Sequence, residues 1–323
     1  MEGRKYLGHE LQLYGAEEVR LVGGQGDGLR LLQVRNATGL AFNVSIDRCA
    51  DISRLALGGV NYGYFSPCGY VAPQYYDRRG LGFLRSFTAG FFTTCGLTGV
   101  GNGCVDDGEE VPVHGTISNI PCENFSHWVA EDGIHIKAIV RDAALGSHQL
   151  LLEREYVCPL YENEIRLTDK VRNIGSRVAP HEILYHCNIG YPLLSEKSVV
   201  NIPSEKVVPR SAHAEAGLAR CLQMEIPQRG YEEMCYYHTF HGESTVSVSN
   251  PTVKRGVQIS FNADELNFFT EWKMMGEREY VLGLEPGNCH PDGRDLMRKQ
   301  GDLVFLAPEE EKTYHLTFRF TEE

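Results

Sequence analysis

Short runs rich in Leu, Val and Ile, each broken within about ten residues by Asn, Asp, Thr or Gly, recur along this chain and constrain its fold more than any other feature. Residues 28–61 read GLRLLQVRNATGLAFNVSIDRCADISRLALGGVN, with Asn-Ala-Thr-Gly and Gly-Gly as punctuation between apolar runs. The same rhythm returns at residues 133–140, 149–157, 162–173, 245–249, 256–261 and 314–320. Several of these alternate polar and apolar residues, the period of a strand with one face in a core. Amphipathic spacing sustained over three helical turns is hard to find, and the best short candidates for helix lie at residues 74–85 and 309–312. With few helices to cover a sheet, sheets must cover one another, which predicts an all-β chain folded as a large antiparallel β-sandwich.

Sandwiches of this class run past two hundred residues as one unit, and no repeat, low-complexity tract or Pro/Ser-rich linker divides the chain, so residues 1–323 are expected to form a single domain. The Gly- and acid-rich stretch GVGNGCVDDGEEVPV reads as a surface loop. A hydrophobic content of 42% against 23% charged residues supplies enough apolar surface for a core and excludes a disordered chain. The 31 Lys and Arg against 43 Asp and Glu give a formal charge of -12, which repels phosphate backbones and anionic lipid. Neither nucleic acid nor membrane is an expected partner. The amino terminus MEGRKYLGHELQLYG lacks the apolar centre of a signal peptide, and no run reaches membrane-spanning length, so a cytoplasmic protein is expected. The ten cysteines fall singly, without a CxxC pair, and are expected to be free and mostly buried.

Three segments place ionisable groups where core residues would be expected. Val113-His114-Gly115-Thr116 sets a histidine beside a turn glycine ahead of a strand-like run. Glu182-Ile183-Leu184-Tyr185-His186-Cys187-Asn188-Ile189-Gly190-Tyr191-Pro192 inserts a histidine and an asparagine into an apolar strand. Buried polar groups cost free energy unless paired, so these belong either to a satisfied core network or to a ligand-facing site. In Tyr280-Val281-Leu282-Gly283-Leu284-Glu285-Pro286 a carboxylate closes an apolar strand just before a strand-ending proline. Desolvation there would raise its pKa and suit it to proton abstraction near neutrality, while a buried ion pair with an arginine would read the same in sequence.

Taken in this order, and followed by Leu303-Val304-Phe305-Leu306-Ala307-Pro308-Glu309 and Thr317-Phe318-Arg319-Phe320, the three segments resemble the aldose 1-epimerases, or mutarotases. The segments Phe83-Leu84-Arg85-Ser86-Phe87, Gly90-Phe91-Phe92-Thr93-Thr94-Cys95-Gly96-Leu97 and Glu271-Trp272-Lys273 are similar to those of a divergent branch of that superfamily. The resemblance implies a galactose mutarotase-like sandwich, a supersandwich, acting as an isomerase on a small sugar without cofactor or metal. It assigns the catalytic roles to His114, His186 and Glu285. Mutarotases carry an Asp-His-Asn-Phe-like segment whose Asp holds sugar hydroxyls, and Tyr237-His238-Thr239-Phe240 stands there instead. Arg85, Asn188, His238 and Lys273 are therefore the candidates to bind substrate, and the identity of the sugar stays open, as does assembly into a homodimer.

By the family chemistry Glu285 takes the anomeric proton while a histidine, His186 for preference over His114, protonates the ring oxygen; the ring opens, C1 rotates, and closure gives the other anomer. Two other classes compete. A non-catalytic carbohydrate-binding protein would keep the sandwich and stack sugars on Trp128 or Trp272. A metal-dependent sugar isomerase or epimerase would draw ligands from His114, His186, His238, His241 and Glu285.

Overall fold

The computed structural model describes residues 5–322. Two large sheets and one smaller sheet, paired antiparallel throughout, form a β-sandwich, as the alternating runs predict. The eight-stranded sheet is ordered Asn124–Val129, Ile134–Ala143, Gln149–Cys158, Glu164–Asn173, Glu311–Glu322, Arg255–Asn262, Glu243–Asn250 and Val199–Asn201. The second large sheet runs Lys206–Pro209, Met234–Thr239, Phe268–Gly276, Glu279–Gly287, Ala179–Ile189 and Val304–Leu306, with Phe92–Leu97 also paired to Ala179–Ile189. A five-stranded sheet holds Gly15–Arg20, Arg30–Arg35, Leu40–Ser45, Asp51–Leu57 and Val60–Asn61.

Alternation decides which residues fill the space between the layers. Ile136, Leu152, Leu167 and Phe318 from the eight-stranded sheet meet Ile183, Tyr185, Leu282 and Leu284 from the second, all buried in one apolar cluster. One charged group sits among them. Arg154, fully buried, donates to both carboxylate oxygens of Asp169 at 2.8 and 2.6 Å and to Asp51 at 2.7 Å, while Thr94 accepts from it at 2.7 Å and Tyr185 donates to Asp169 at 2.8 Å. These partners come from all three sheets, so the network fixes their mutual placement, and it is sustainable in the interior because each charge is paired and hydrogen-bonded.

The helical expectations differ from what is found. Residues 74–85 yield two single turns of 3-10 helix, Pro73–Tyr75 and Gly82–Arg85, and residues 309–312 form a turn that enters the last strand. The two α-helices, Ala212–Gly217 and Arg294–Gln300, are too short for amphipathic periodicity to announce them. The acidic stretch lies at the surface, as expected, but part of it is a hairpin instead of a loop. Cys104–Asp106 pairs with Glu109–Val111, and Asp106 is buried between the guanidinium groups of Arg294 and Arg298, each 2.6 Å away. All ten cysteines are free, and only Cys68 and Cys104 are not fully buried. Among the described residues no helix is long and apolar enough to cross a membrane.

Candidate active site

The strand Ala179–Ile189 is buried at every position but Pro180, because both of its faces are covered. Ile183, Tyr185, Cys187 and Ile189 face the sandwich core, so strand parity sends His186 and Asn188 to the other side of the sheet. There the segments around Phe83, Phe87 and His114 close over the sheet and leave a cavity of about 330 Å³. Its walls include His114, His186, Glu285, Trp272, Phe87 and Arg210.

Register aligns the site. Thr93 pairs with His186, and Thr270 pairs with both Glu285 and Tyr237. The pairing of Cys187 with Leu284 and of Leu184 with Gly287 sets His186 across from Glu285. The ladder skips these positions, where Pro286 has no amide hydrogen to offer. Pro286 does not end the strand as expected; pairing with Phe269 carries it on to Gly287. Nε2 of His186 lies 3.2 Å from Oε1 of Glu285, outside hydrogen-bonding geometry, so that Oε1, Nδ1 of His186 and the Thr270 hydroxyl are buried without a partner. Unpaired polar atoms around a cavity are what an absent ligand would satisfy.

His114 reaches the cavity from a loop whose backbone is held at both ends. Its amide donates to the Gly101 carbonyl at 2.8 Å, and its own carbonyl accepts from Gly96 at 3.1 Å. The following residue must be glycine: Gly115 has φ +72, and a β-carbon there would stand 2.1 Å from the Gly96 carbonyl oxygen. Nδ1 of His114 accepts from the Gly101 amide at 3.4 Å, which leaves the proton on Nε2 as a donor. Its ring centroid is 5.6 Å from that of His186 and 5.0 Å from that of Phe83. The His186 ring also meets Trp272 edge-on at 5.1 Å and Phe87 at 5.3 Å.

Burial sets the protonation of this group. It drives the Glu285 carboxyl well above its ordinary value, helped by Glu233 and opposed by Arg210. It pushes His186 down to about 4, against the Asn188 carboxamide, and His114 down to about 3, with the neighbouring His186 and Arg210 adding to the effect. Both directions favour neutral forms, so burial favours the state of the His186–Glu285 couple that carries a single proton.

The expected catalytic residues thus meet in one cavity, but the expected binding residues do not. Lys273 lies on the opposite face of the sheet from Trp272, and its ammonium is spent on the carbonyls of Gln223 and Arg220 at 2.6 and 3.1 Å. His238 is turned the same way, bonded to Ser204 at 2.9 Å and Glu271 at 3.2 Å. Arg85 is exposed and absent from the walls. Asn188 sits behind His186 on its face, its amide donating to the His186 carbonyl at 2.7 Å, and supports the histidine without lining the cavity. Arg210, unforeseen in the sequence, supplies the cation: Asp292 accepts from it at 3.0 Å and from the Tyr237 hydroxyl at 2.7 Å, and the Pro291 carbonyl accepts at 3.1 Å. Trp128 stacks on His135 in the eight-stranded sheet, away from the cavity, so Trp272 alone of the two tryptophans lines it. The five proposed metal ligands do not converge, because His238 faces the core and His241 is exposed beside Glu205.

The chain resembles solved structures over nearly its full length. A Klebsiella pneumoniae protein provisionally named an aldose 1-epimerase is 25% identical, with a TM-score of 0.90 over 96% of this chain and 84% of that one. A galactose mutarotase-like protein from Clostridium acetobutylicum is 12% identical, with a TM-score of 0.70 over 97% of this chain and 100% of its own. A galactose 1-epimerase from Lactobacillus acidophilus is 14% identical, with a TM-score of 0.62 over 96% and 99%. These likenesses establish the galactose mutarotase-like sandwich. No curated protein sequence matches the chain. The family model described as a domain of unknown function, DUF4432, matches residues 26–320, and the chain belongs to that family, a divergent branch of the mutarotase-like fold.

Proposed function

We propose that this protein interconverts the anomers of a small sugar by acid–base opening and closure of its ring. The observation that carries the reading is the His186–Glu285 couple, 3.2 Å apart, burying unsatisfied atoms beside an aromatic-walled cavity. The names of the similar structures add support to the same reading. A hemiacetal placed there would meet both groups. With the couple's one proton on the imidazole, Glu285 accepts the anomeric hydroxyl proton and His186 delivers its own to the ring oxygen, breaking the bond between C1 and that oxygen. After rotation about the C1–C2 bond the transfers reverse, and the enzyme ends with the proton it began with. Arg210 favours the ionised Glu285, while burial favours the neutral couple, so the two forms are placed to exchange. Nε2–H of His114 donates to substrate oxygen, and Arg210 takes the hydroxyl-binding role that the sequence suggested for Arg85.

Sugar binding without turnover is the second reading, supported by the aromatic wall of Phe83, Phe87 and Trp272, which needs no proton couple. Anomer exchange followed by NMR over a panel of hexoses, pentoses, deoxy sugars and uronic acids separates the two. Acceleration above the buffer rate for at least one sugar is expected; binding with no acceleration for any would select the second reading.

A further inference from the structure

The outward face of the five-stranded sheet carries a second, larger concavity. Strand parity and register put Gln33 beside Asn43 and Ala41 beside Ala56 on this face, with Arg54 exposed between the strands. Across from them the turn joining Phe268–Gly276 to Glu279–Gly287 brings up Arg278, the second of these strands brings Tyr280, and Tyr64, Phe65 and Tyr191 complete the walls. The groove measures about 770 Å³, more than twice the 330 Å³ of the cavity at His186. Past Gln33, Ala41 and Asn43 the same face continues into a depression of about 300 Å³ that reaches Glu17 and Arg35. Such a trough is too long for one sugar ring to fill.

Its chemistry is selective. Tyr191 is 72% exposed, and Tyr64, Phe65 and Tyr280 are each partly exposed, so the groove presents four aromatic rings to solvent. Rings offer stacking surface to the C–H faces of sugars, and planar amides such as Gln33 and Asn43 bond their hydroxyls. The charge is the decisive feature. Arg54 and Arg278 have no hydrogen-bonded or ion-paired partner among the described residues, beyond the packing of Arg54 over the Phe65 and Tyr70 rings at 5.3 and 5.8 Å. No carboxylate lines the groove in a chain of net charge -12; Glu279 stands at its rim near Tyr64, and Glu17 in the adjoining depression. Arg278 also has φ +71, where glycine is the usual choice. Free guanidinium groups spaced along an aromatic trough match carboxylates repeated along a ligand.

We propose that this groove binds an acidic oligosaccharide, a chain of sugar units bearing carboxylates. The site stands apart from the cavity at His186, though Tyr64 packs against the cluster of Phe83, Phe87 and Ala89, to which two of that cavity's lining residues belong, so a bound chain would lie next to its wall. The proposal does not depend on anomer exchange.

Calorimetric titration with trigalacturonate, maltotriose and glucose 1-phosphate tests it. Trigalacturonate is expected to bind, more weakly as salt is raised, and at least about ten-fold more tightly than maltotriose, as charge-assisted hydrogen bonds require. Arg54→Ala, Arg278→Ala and Tyr191→Ala, all at exposed positions where folding should survive, are each expected to weaken it about ten-fold, with melting temperatures unchanged. Glu285→Gln should leave the affinity as it is. No binding of trigalacturonate, equal binding of maltotriose, or indifference to the three substitutions would overturn the proposal. So would tight binding of glucose 1-phosphate lost in the arginine variants, which would make the groove a phosphate site. Self-association abolished by Tyr191→Ala and Arg278→Ala would overturn it as well, by making this face an interface between copies of the chain.

Discussion

The Glu285 carboxylate folds back over the α-carbon of Gly283, so closely that a β-carbon at 283 would stand 2.3 Å from Oε1 and 2.9 Å from the β-carbon of Trp272. Two residues apart on one strand face, they leave the acid only the space that glycine vacates. Gly283→Ala is therefore expected to push the carboxylate off His186. Anomer exchange should drop at least about ten-fold, while stability falls by about 1–3 kcal/mol, the usual cost of overpacking. Kinetics beside a thermal melt check this; full activity would mean that Glu285 does not need its present position.

The pH profile follows from the couple's single proton. His186, depressed to about 4 by burial, gains a second proton only below that pH, and Glu285, raised by burial, loses the shared one well above the ordinary carboxylate range. Activity should decline on the acid side near pH 4. An acid limb centred near 6.5 would point to an ordinary exposed histidine instead.

Glu182 offers a test of burial on the same strand. One of its oxygens accepts from the Val100 amide at 2.8 Å and the other has no partner, and burial lifts its pKa to about 8. A folded pKa above the unfolded one stabilises most below the unfolded value, about 4.5, and that stability is lost as pH rises through 8. Glu182→Gln should gain on the wild type by about 2–4 kcal/mol between pH 5 and pH 8. Parallel stability curves for the two proteins would contradict the assignment.

Removing the interior cation should be severe. Arg154→Met leaves Asp51 and Asp169 buried without their counter-charge, and a loss of about 3–5 kcal/mol in denaturant unfolding is expected. A loss below about 1 kcal/mol would show that the two carboxylates are held by their other donors, Thr94 and Tyr185.

Strand positions are legible in the sequence because alternation with a solvent or loop face leaves a period-2 trace, as in residues 133–140 and 256–261, which fall within or beside Ile134–Ala143 and Arg255–Asn262. His114, His186 and Glu285 are legible as ionisable groups in apolar runs. The binding residues are not, for identifiable reasons. Trp272 and Lys273 cannot share a face, nor can Tyr237 and His238, so only one of each pair could reach the cavity, and the register with Glu285, which the sequence does not show, selects Trp272. In Phe83-Leu84-Arg85-Ser86-Phe87 the aromatic residues build the wall, while a 3-10 turn leaves Arg85 exposed. Arg210 carries no local signal, because its orientation depends on Asp292 and Pro291, far along the chain.

The central claim is that Glu285 and His186 move a proton for a bound sugar. Anomer exchange by NMR, wild type against Glu285→Gln, tests it most directly, since the amide keeps the shape of the side chain and cannot take up the anomeric proton. The account predicts acceleration by the wild type for at least one sugar, reduced by about 10²–10⁴-fold in the variant while that sugar still binds. Equal acceleration by both proteins would contradict it.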